Sequence, residues 1–174
     1  MSSTTNIVVG LAATGTLKAA AYGAAESTAA DLGFIKGGIT IEHEETSYDI
    51  KVDQVLGTVD KITTDEGLKI KFSLAECTLP NLALALGYPE PAGGASAFDF
   101  GGKQTTPVNT LFANVQGPNG KTRRYTFWRC RPNGKTAQVY KRDGETLIDI
   151  EFDVLADVSK DPSKRFGRIE DLQA

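Results

Sequence analysis

The chain has 174 residues, 40% of them hydrophobic and 24% charged, with a formal net charge of −3. Those values fit one globular domain of ordinary size. They leave no global basic footprint for nucleic-acid binding, and the charge is too small for a disordered acidic chain. No solid apolar run of about 20 residues offers a membrane-spanning helix. The start MSSTTN lacks the basic and apolar regions of a signal peptide. Cys77 and Cys130 lie far apart and read as two reduced, buried thiols, because intracellular disulfides are rare. The 18 glycines suit a chain with many turns.

In chain order, residues 1–6 are small and polar, a flexible arm. Ile7–Val9 is a short strand candidate. Thr16–Tyr22 is another, with helix open as the alternative because of its alanines. Glu26–Leu32 is a connection with room for one helical turn, and Gly37-Gly38 marks a break. Four strands are then expected: Ile39–Glu45, Tyr48–Val55, Thr58–Thr64 and Leu68–Glu76. In them Ile39 and Ile41, Ile50 and Val52, and Leu68, Ile70, Phe72 and Leu74 recur at every second place. Thr46-Ser47 and Asp65-Glu66-Gly67 are read as turns, and Gly57 as a bulge or tight bend.

Thr78–Gly87 predicts a short helix, with Thr78 as N-cap, Pro80 in the first turn and Gly87 as the stop. Leu79, Leu82 and Leu86 form its apolar stripe. Tyr88–Ser96 is a loop and Ala97–Phe100 a short strand candidate. Pro118-Asn119-Gly120 and Pro132-Asn133-Gly134 are hairpin turns within a meander of four strands: Leu111–Gln116, Lys121–Arg131, Thr136–Arg142 and Thr146–Leu155. The tail, residues 157–174, is irregular with room for a short helix near Arg168–Leu172. With nine to eleven strands in all, the expectation is a single mainly-β domain over 1–174. It is an antiparallel β-sandwich or barrel with one flanking α-helix and a long β-hairpin.

Chemistry is hard to find. The single histidine, His43, follows Ile39 and Ile41 on the alternating apolar face and reads as a packed side chain. No Gly-x-Ser-x-Gly turn accompanies it. Two cysteines and one histidine, none at metal spacing, make no metal site, and no phosphate loop is present. The expectation is a protein without catalysis, metal or cofactor.

Charge, by contrast, is segregated. Thr40, Glu42, Glu44, Asp49, Lys51, Asp53 and Asp60 are read as the wet face of the Gly37–Glu76 sheet. Asp149, Glu151 and Asp153 alternate with Ile148, Ile150, Phe152 and Val154 in the last full strand. Between them, Lys121 to Arg142 holds Arg123, Arg124, Arg129 and Arg131 with no acid, and Tyr125, Phe127 and Trp128 interleave. Taken alone that stretch resembles a nucleic-acid hairpin. The plainer reading is a solvated sheet face with its aromatics in the core. A third reading joins both halves: an acidic surface and a basic one can meet head to tail in copies of one protein.

Three phrases in order carry a family resemblance: DLGFIKGGITIEHEE, VDQVLGTVDKITTDE and KFSLAECTLPNLALALG. With the Leu74-Ala75-Glu76 step into a leucine-rich helix, the run from Asp31 to Gly87 resembles the tail tube proteins of long-tailed bacteriophages. The resemblance implies a β-sandwich with a flanking helix that assembles into stacked hexameric rings, a hollow tube through which double-stranded DNA passes during ejection. It implies four strands per subunit lining the bore, here Thr40, Glu42, Glu44, Asp49, Lys51, Asp53 and Asp60. Arg123, Arg124, Arg129, Arg131, Asp149, Glu151 and Asp153 would make inter-ring or inter-subunit contacts. The arm at residues 1–6 and the loop Tyr88–Ser96 are further candidates for ring-to-ring contact. Its implied partners are further copies of itself and the tail terminator, tape measure and distal tail proteins. Its place would be the virion, after synthesis in the host cytoplasm. A small β-sandwich binding module or head–tail connector is the alternative.

Overall fold

The computed structural model describes residues 17–91, 93, 96–102, 105–140 and 142–172. The expected arm at residues 1–6 and the strand candidate Ile7–Val9 lie outside them, as do parts of the loop after Tyr88. The described chain is mainly antiparallel β-sheet with one α-helix. Its strands are β1 (Leu17–Ala21), β2 (Ala30–Asp31), β3 (Ile35–Lys51), β4 (Thr58–Leu74), β5 (Asn109–Gln116), β6 (Thr122–Pro132), β7 (Ala137–Val139), β8 (Leu147–Val154) and β9 (Gly167–Leu172). Helix α1 spans Leu79–Leu86.

The strands form one path, β2-β1-β5-β6-β8-β4-β3, with β7 also on β8 and β9 also on β6. The path is open, with no closure into a barrel among the described residues. It divides at β6, where Thr122 to Phe127 pair with β9 and Cys130 to Pro132 pair with β8. Both arms feed one apolar cluster. Leu17, Leu111 and Phe127 come from one arm; Ile70, Phe72, Leu74, Ile148 and Phe152 come from the other. Phe72 and Phe152 stack at 5.9 Å between ring centroids. Period-two alternation in β4 and β8 puts these side chains inward and leaves Lys69, Lys71, Asp149, Glu151 and Asp153 outward.

The four strands expected before the helix are two strands of 17 residues each, a single long hairpin. Thr46-Ser47 and Asp65-Glu66-Gly67 are not turns. The two polar breaks lie beside one another, with Thr46 opposite Asp65 and Glu45 opposite Glu66. The ladder only slips there, as Ser47 pairs with Thr63 and leaves Thr64 as the extra residue on β4. A polar run ends a strand where a core must be filled. Here the ribbon is in water on both faces, so pairing continues. The true turn lies between Lys51 and Thr58 and includes Gly57, with φ of 121°.

Several smaller expectations change in the same way. Leu17–Ala21 is a strand, because its alanines fit between β2 and β5. Ala97–Phe100 is not a strand. Arg168–Leu172 is strand and not helix, since β6 offers it an edge from Thr122 to Phe127. The turn at Pro118–Gly120 is as expected, with φ of 57° at Asn119 and 72° at Gly120.

Helix α1 keeps its expected caps: the Thr78 hydroxyl accepts from the Asn81 amide, and Gly87 is left-handed at φ 72°. Its packing differs from the expected leucine stripe. The buried positions are Asn81, Ala83 and Ala85, and the leucines are half-buried. Small residues let the helix approach closely. The Asn81 side-chain amide donates to Leu32 O at 3.0 Å and to Glu76 O at 2.9 Å, tying α1 to the chain before β3 and after β4.

Candidate functional site

The long hairpin and its neighbour β8 create the most distinctive surface. Where β3 pairs with the body of β4, Thr40, Glu42 and Glu44 share a face with Lys69, Lys71 and Ser73. The β4–β8 register sets Asp153 opposite Lys69, Glu151 opposite Lys71 and Asp149 opposite Ser73. The outward face is therefore a lysine strand flanked by two acidic ones. Lys71 Nζ lies 2.6 Å from Glu42, and Lys69 Nζ 3.3 Å from Glu44. The hydrogen bond that Lys71 donates to Glu42, backed by the charges of Glu42, Glu151 and Glu44, raises the Lys71 pKa despite partial desolvation. Arg131 of β6 extends the pattern by pairing in register with Asp153. Five carboxylates face Lys69 and Lys71, with Arg131 in register with Asp153 and Lys135 Nζ 3.9 Å from Glu151, so the strip is a charge-paired surface with a small acidic excess whose long side chains are held in place.

The predicted acidic set does not stay together. Asp49 and Lys51 fall on the opposite face of β3 from Glu42 and Glu44, because the strand runs unbroken through Thr46 and Ser47. Asp53 lies in the turn. Asp60 shares the Glu42 face but stands out on the ribbon, opposite Ile50. The structure instead adds Asp149, Glu151 and Asp153, read from sequence as contacts between copies. Their alternation was visible in sequence, but their adjacency to β4 was not.

His43 does lie on the Ile39 and Ile41 face, but level with the last residue of β8, where the core ends, so it is exposed and not packed. Its Nε2 is 2.8 Å from Glu66. Further out, Glu45 accepts from the Thr63 hydroxyl, and Asp49 meets Lys61 at 3.4 Å. On the other face Tyr48 pairs directly with Ile62. The hairpin thus changes character along its length. Its base turns Ile39 to the core, whereas its outer half exposes Tyr48, Val55, Leu56, Val59 and Ile62.

The basic stretch is largely neutralised within the subunit. Arg123 grips Asp171 with two bonds of 2.6 and 2.9 Å, which raises the arginine pKa and lowers that of Asp171. Arg124 meets Glu26 at 2.7 Å and Glu170 at 3.6 Å. Burial works against the Glu26 carboxylate, but the Asn114 amide, Arg124 and Lys18 hold its pKa below the ordinary value. Arg129 lies over the Tyr22 ring at 5.6 Å and donates to Ala156 O. Phe127 is buried, Tyr125 stacks on it, and Trp128 donates its indole N–H to Lys164 O under the Lys160 ammonium. Of the aromatics read as core, Phe127 lies in the core cluster and Tyr125 packs against it, whereas Trp128 is half-buried outside it. The acids that answer these arginines come from β9 and the turn at Glu26, far away in sequence.

Both cysteines are free thiols, Cys130 buried and Cys77 half-buried. Burial pushes the Cys130 thiol pKa well up. Among the described residues no group of three His, Cys, Asp or Glu side chains is placed to hold a metal ion, and no helix is long and apolar enough to cross a membrane. No protein-family model and no curated protein matches this chain.

Proposed function

We propose that this chain is a structural subunit that assembles with copies of itself, as the tail tube protein of a long-tailed phage virion. The observation that carries the proposal is the uncovered edge of β3. Apart from the bulge at Gly37 and Gly38, its residues pair with β4 on one side, and no described strand lies on the other. A strand of that length presents a row of unpaired backbone donors and acceptors, a template for another chain. The opposite arm ends in short edges, β2 and β9. Copies joined edge to edge in a ring of six, with rings stacked, use both.

In that arrangement the outward face of β3, β4 and β8 lines the bore. Glu42, Glu44, Asp149, Glu151 and Asp153, with the Thr40 hydroxyl beside them, present carboxylates to the phosphates of passing double-stranded DNA. Like charge keeps DNA from adhering, leaving a layer of water and counterions. Glu42 and Glu44 are held by Lys71 and Lys69, so the wall is smooth, and its small acidic excess gives DNA no basic patch to grip. Tail terminator, tape measure and distal tail proteins would meet the ends of such a tube in the virion.

Electron microscopy of the purified protein across concentration tests the reading. Hollow tubes or stacked six-fold rings are expected at high concentration. A monomer at every concentration and salt level overturns it. Glu42→Lys with Glu151→Lys should leave the fold intact and slow or block DNA ejection; normal ejection from tubes of that variant removes the bore assignment.

A further inference from the structure

The face of β5, β6 and β9 turned away from the core cluster should be wet, yet it leaves Thr110 only 2%, Phe112 6% and Thr126 6% exposed. The register brings them together: Phe112 lies opposite Thr126, and Thr126 opposite Arg168. Two loops stand over this face. The loop after β1 is held where the Gly23 amide donates to the Thr110 hydroxyl at 3.2 Å. The loop after β8 is tied to it where the Tyr22 hydroxyl donates to Asp157 at 3.0 Å. Between loops and sheet a pocket of about 380 Å³ stays open. Along β6, Arg124 lies to one side of Thr126 and Trp128 to the other, and all three line the pocket.

The charges of the pocket are satisfied in advance. Three acids, Glu26, Asp157 and Glu170, and three bases, Arg124, Lys160 and Arg168, line it. Arg124 meets Glu26 at 2.7 Å and Glu170 at 3.6 Å, and Arg168 meets Glu170 at 3.1 Å. Asp157 also accepts from the Ser159 hydroxyl at 2.7 Å, and Lys160 lies over the Trp128 ring at 4.9 Å. Two further bases stand behind the wall, Lys18 at 3.4 Å from Glu26 and Arg129 over the Tyr22 ring. An ionic ligand must break one of these pairs to be held. A neutral ligand uses the lone pairs and N–H groups that the pairs leave over.

Thr126 is the exception among these polar groups. Its hydroxyl has no hydrogen-bond partner among the described residues, yet it is not sealed, and it opens into the pocket from a side chain otherwise buried. A hydroxyl offers one donor and two acceptor positions. Mixed, pre-paired donors and acceptors around it call for a ligand that carries several hydroxyls and no charge. Tyr22, 47% exposed, adds a ring surface for the C–H side of such a ligand. The volume suits a mono- or disaccharide. We infer that the pocket between the Tyr22–Glu26 loop, the Asp157–Lys160 loop and β6 binds a neutral saccharide, with Thr126 at its floor. This inference stands apart from the self-assembly reading.

Trp128 is the only tryptophan of the chain, so its fluorescence reports on the pocket directly. The purified protein is titrated with glucose, galactose, mannose, N-acetylglucosamine and a disaccharide of each, with inorganic phosphate and glutamate as charged controls. At least one sugar should give a saturable change with a Kd of about 1 mM or tighter, and the charged controls none. Thr126→Val keeps the branched shape and removes the hydroxyl; it should weaken sugar binding about fivefold or more with an unchanged circular dichroism spectrum. Thr126→Ser keeps the hydroxyl and should bind within about twofold of the unmodified protein. No response to any sugar, or tighter binding of phosphate or glutamate than of every sugar, overturns the ligand class. A sugar response that Thr126→Val leaves unchanged, or that Thr126→Ser weakens as much as Thr126→Val does, overturns the site. Each of these results leaves self-assembly standing, since electron microscopy tests that separately.

Discussion

Replacing Asn81 tests how the helix is held, because this polar side chain is only 5% exposed in the first turn of α1. Its amide satisfies two carbonyls, Leu32 O and Glu76 O, that flank the hairpin at its two ends. Asn81→Leu keeps the side-chain volume close and removes both donors. Each buried hydrogen bond contributes about 1 kcal/mol, and a carbonyl left unsatisfied costs about 1–3 kcal/mol. The expected loss is therefore ~2–4 kcal/mol. At ~2–4 °C per kcal/mol for a chain of this size, Tm should fall by roughly 5–15 °C. Differential scanning calorimetry measures the fall, and hydrogen exchange locates it: amides of Leu82 to Gly87 should lose protection before those of β4 and β8. Leu82→Ala, a half-buried position on the same helix, should cost less. If Asn81→Leu changes stability by under about 0.5 kcal/mol, or Leu82→Ala is the more damaging, then the apolar stripe holds the helix and the two carbonyl contacts do not matter.

The other predictions concern the edges and the caps. Asp171, Asp157 and Glu26 have folded-state pKa values below their ordinary ones, through Arg123, through Ser159 and Tyr22, and through Asn114 and Arg124 respectively. A depressed folded pKa stabilises above the unfolded value of about 4 and loses that contribution as pH falls through the folded value. Tm should therefore drop below about pH 4, with β9 amides exchanging first, and Asp171→Asn should flatten the β9 response; a flat profile for the unmodified protein contradicts it. Gly167→Ala should loosen β9 from β6, since an added Cβ would lie 2.4 Å from Thr126 O; full protection of the β9 amides in that variant would sink the prediction. Gly87→Ala, at a left-handed φ of 72°, should cost about 1 kcal/mol in urea unfolding, whereas an unchanged midpoint would mean the helix end relaxes freely.

Local chemistry made part of this protein legible in its sequence. Thr78, Pro80 and Gly87 cap a helix wherever it packs, because their effect is on backbone within a single turn. Leu68 to Leu74 and Ile148 to Val154 alternate strictly enough to declare strands, an inward face and an outward one. Asn119-Gly120 turns the chain because both residues accept positive φ. None of this depends on which strand lies next to which.

Tertiary pairing decided the rest. Thr46-Ser47 and Asp65-Glu66-Gly67 have the composition of turns, yet they pair with one another, because a ribbon standing in water makes no demand for apolar residues. Once β3 runs unbroken, parity assigns Asp49 and Lys51 to the face opposite Glu42 and Glu44, so the acidic run becomes two surfaces. Asp149, Glu151 and Asp153 join Glu42 only through β4, whose Lys69 and Lys71 stand between them. The arginines of β6 meet Asp171, Glu170 and Glu26 across gaps in sequence that no periodicity encodes. A strand's own residues determine its two faces; the register of its neighbours determines what those faces touch, because hydrogen-bond pairing is set by the whole sheet and the core it must close.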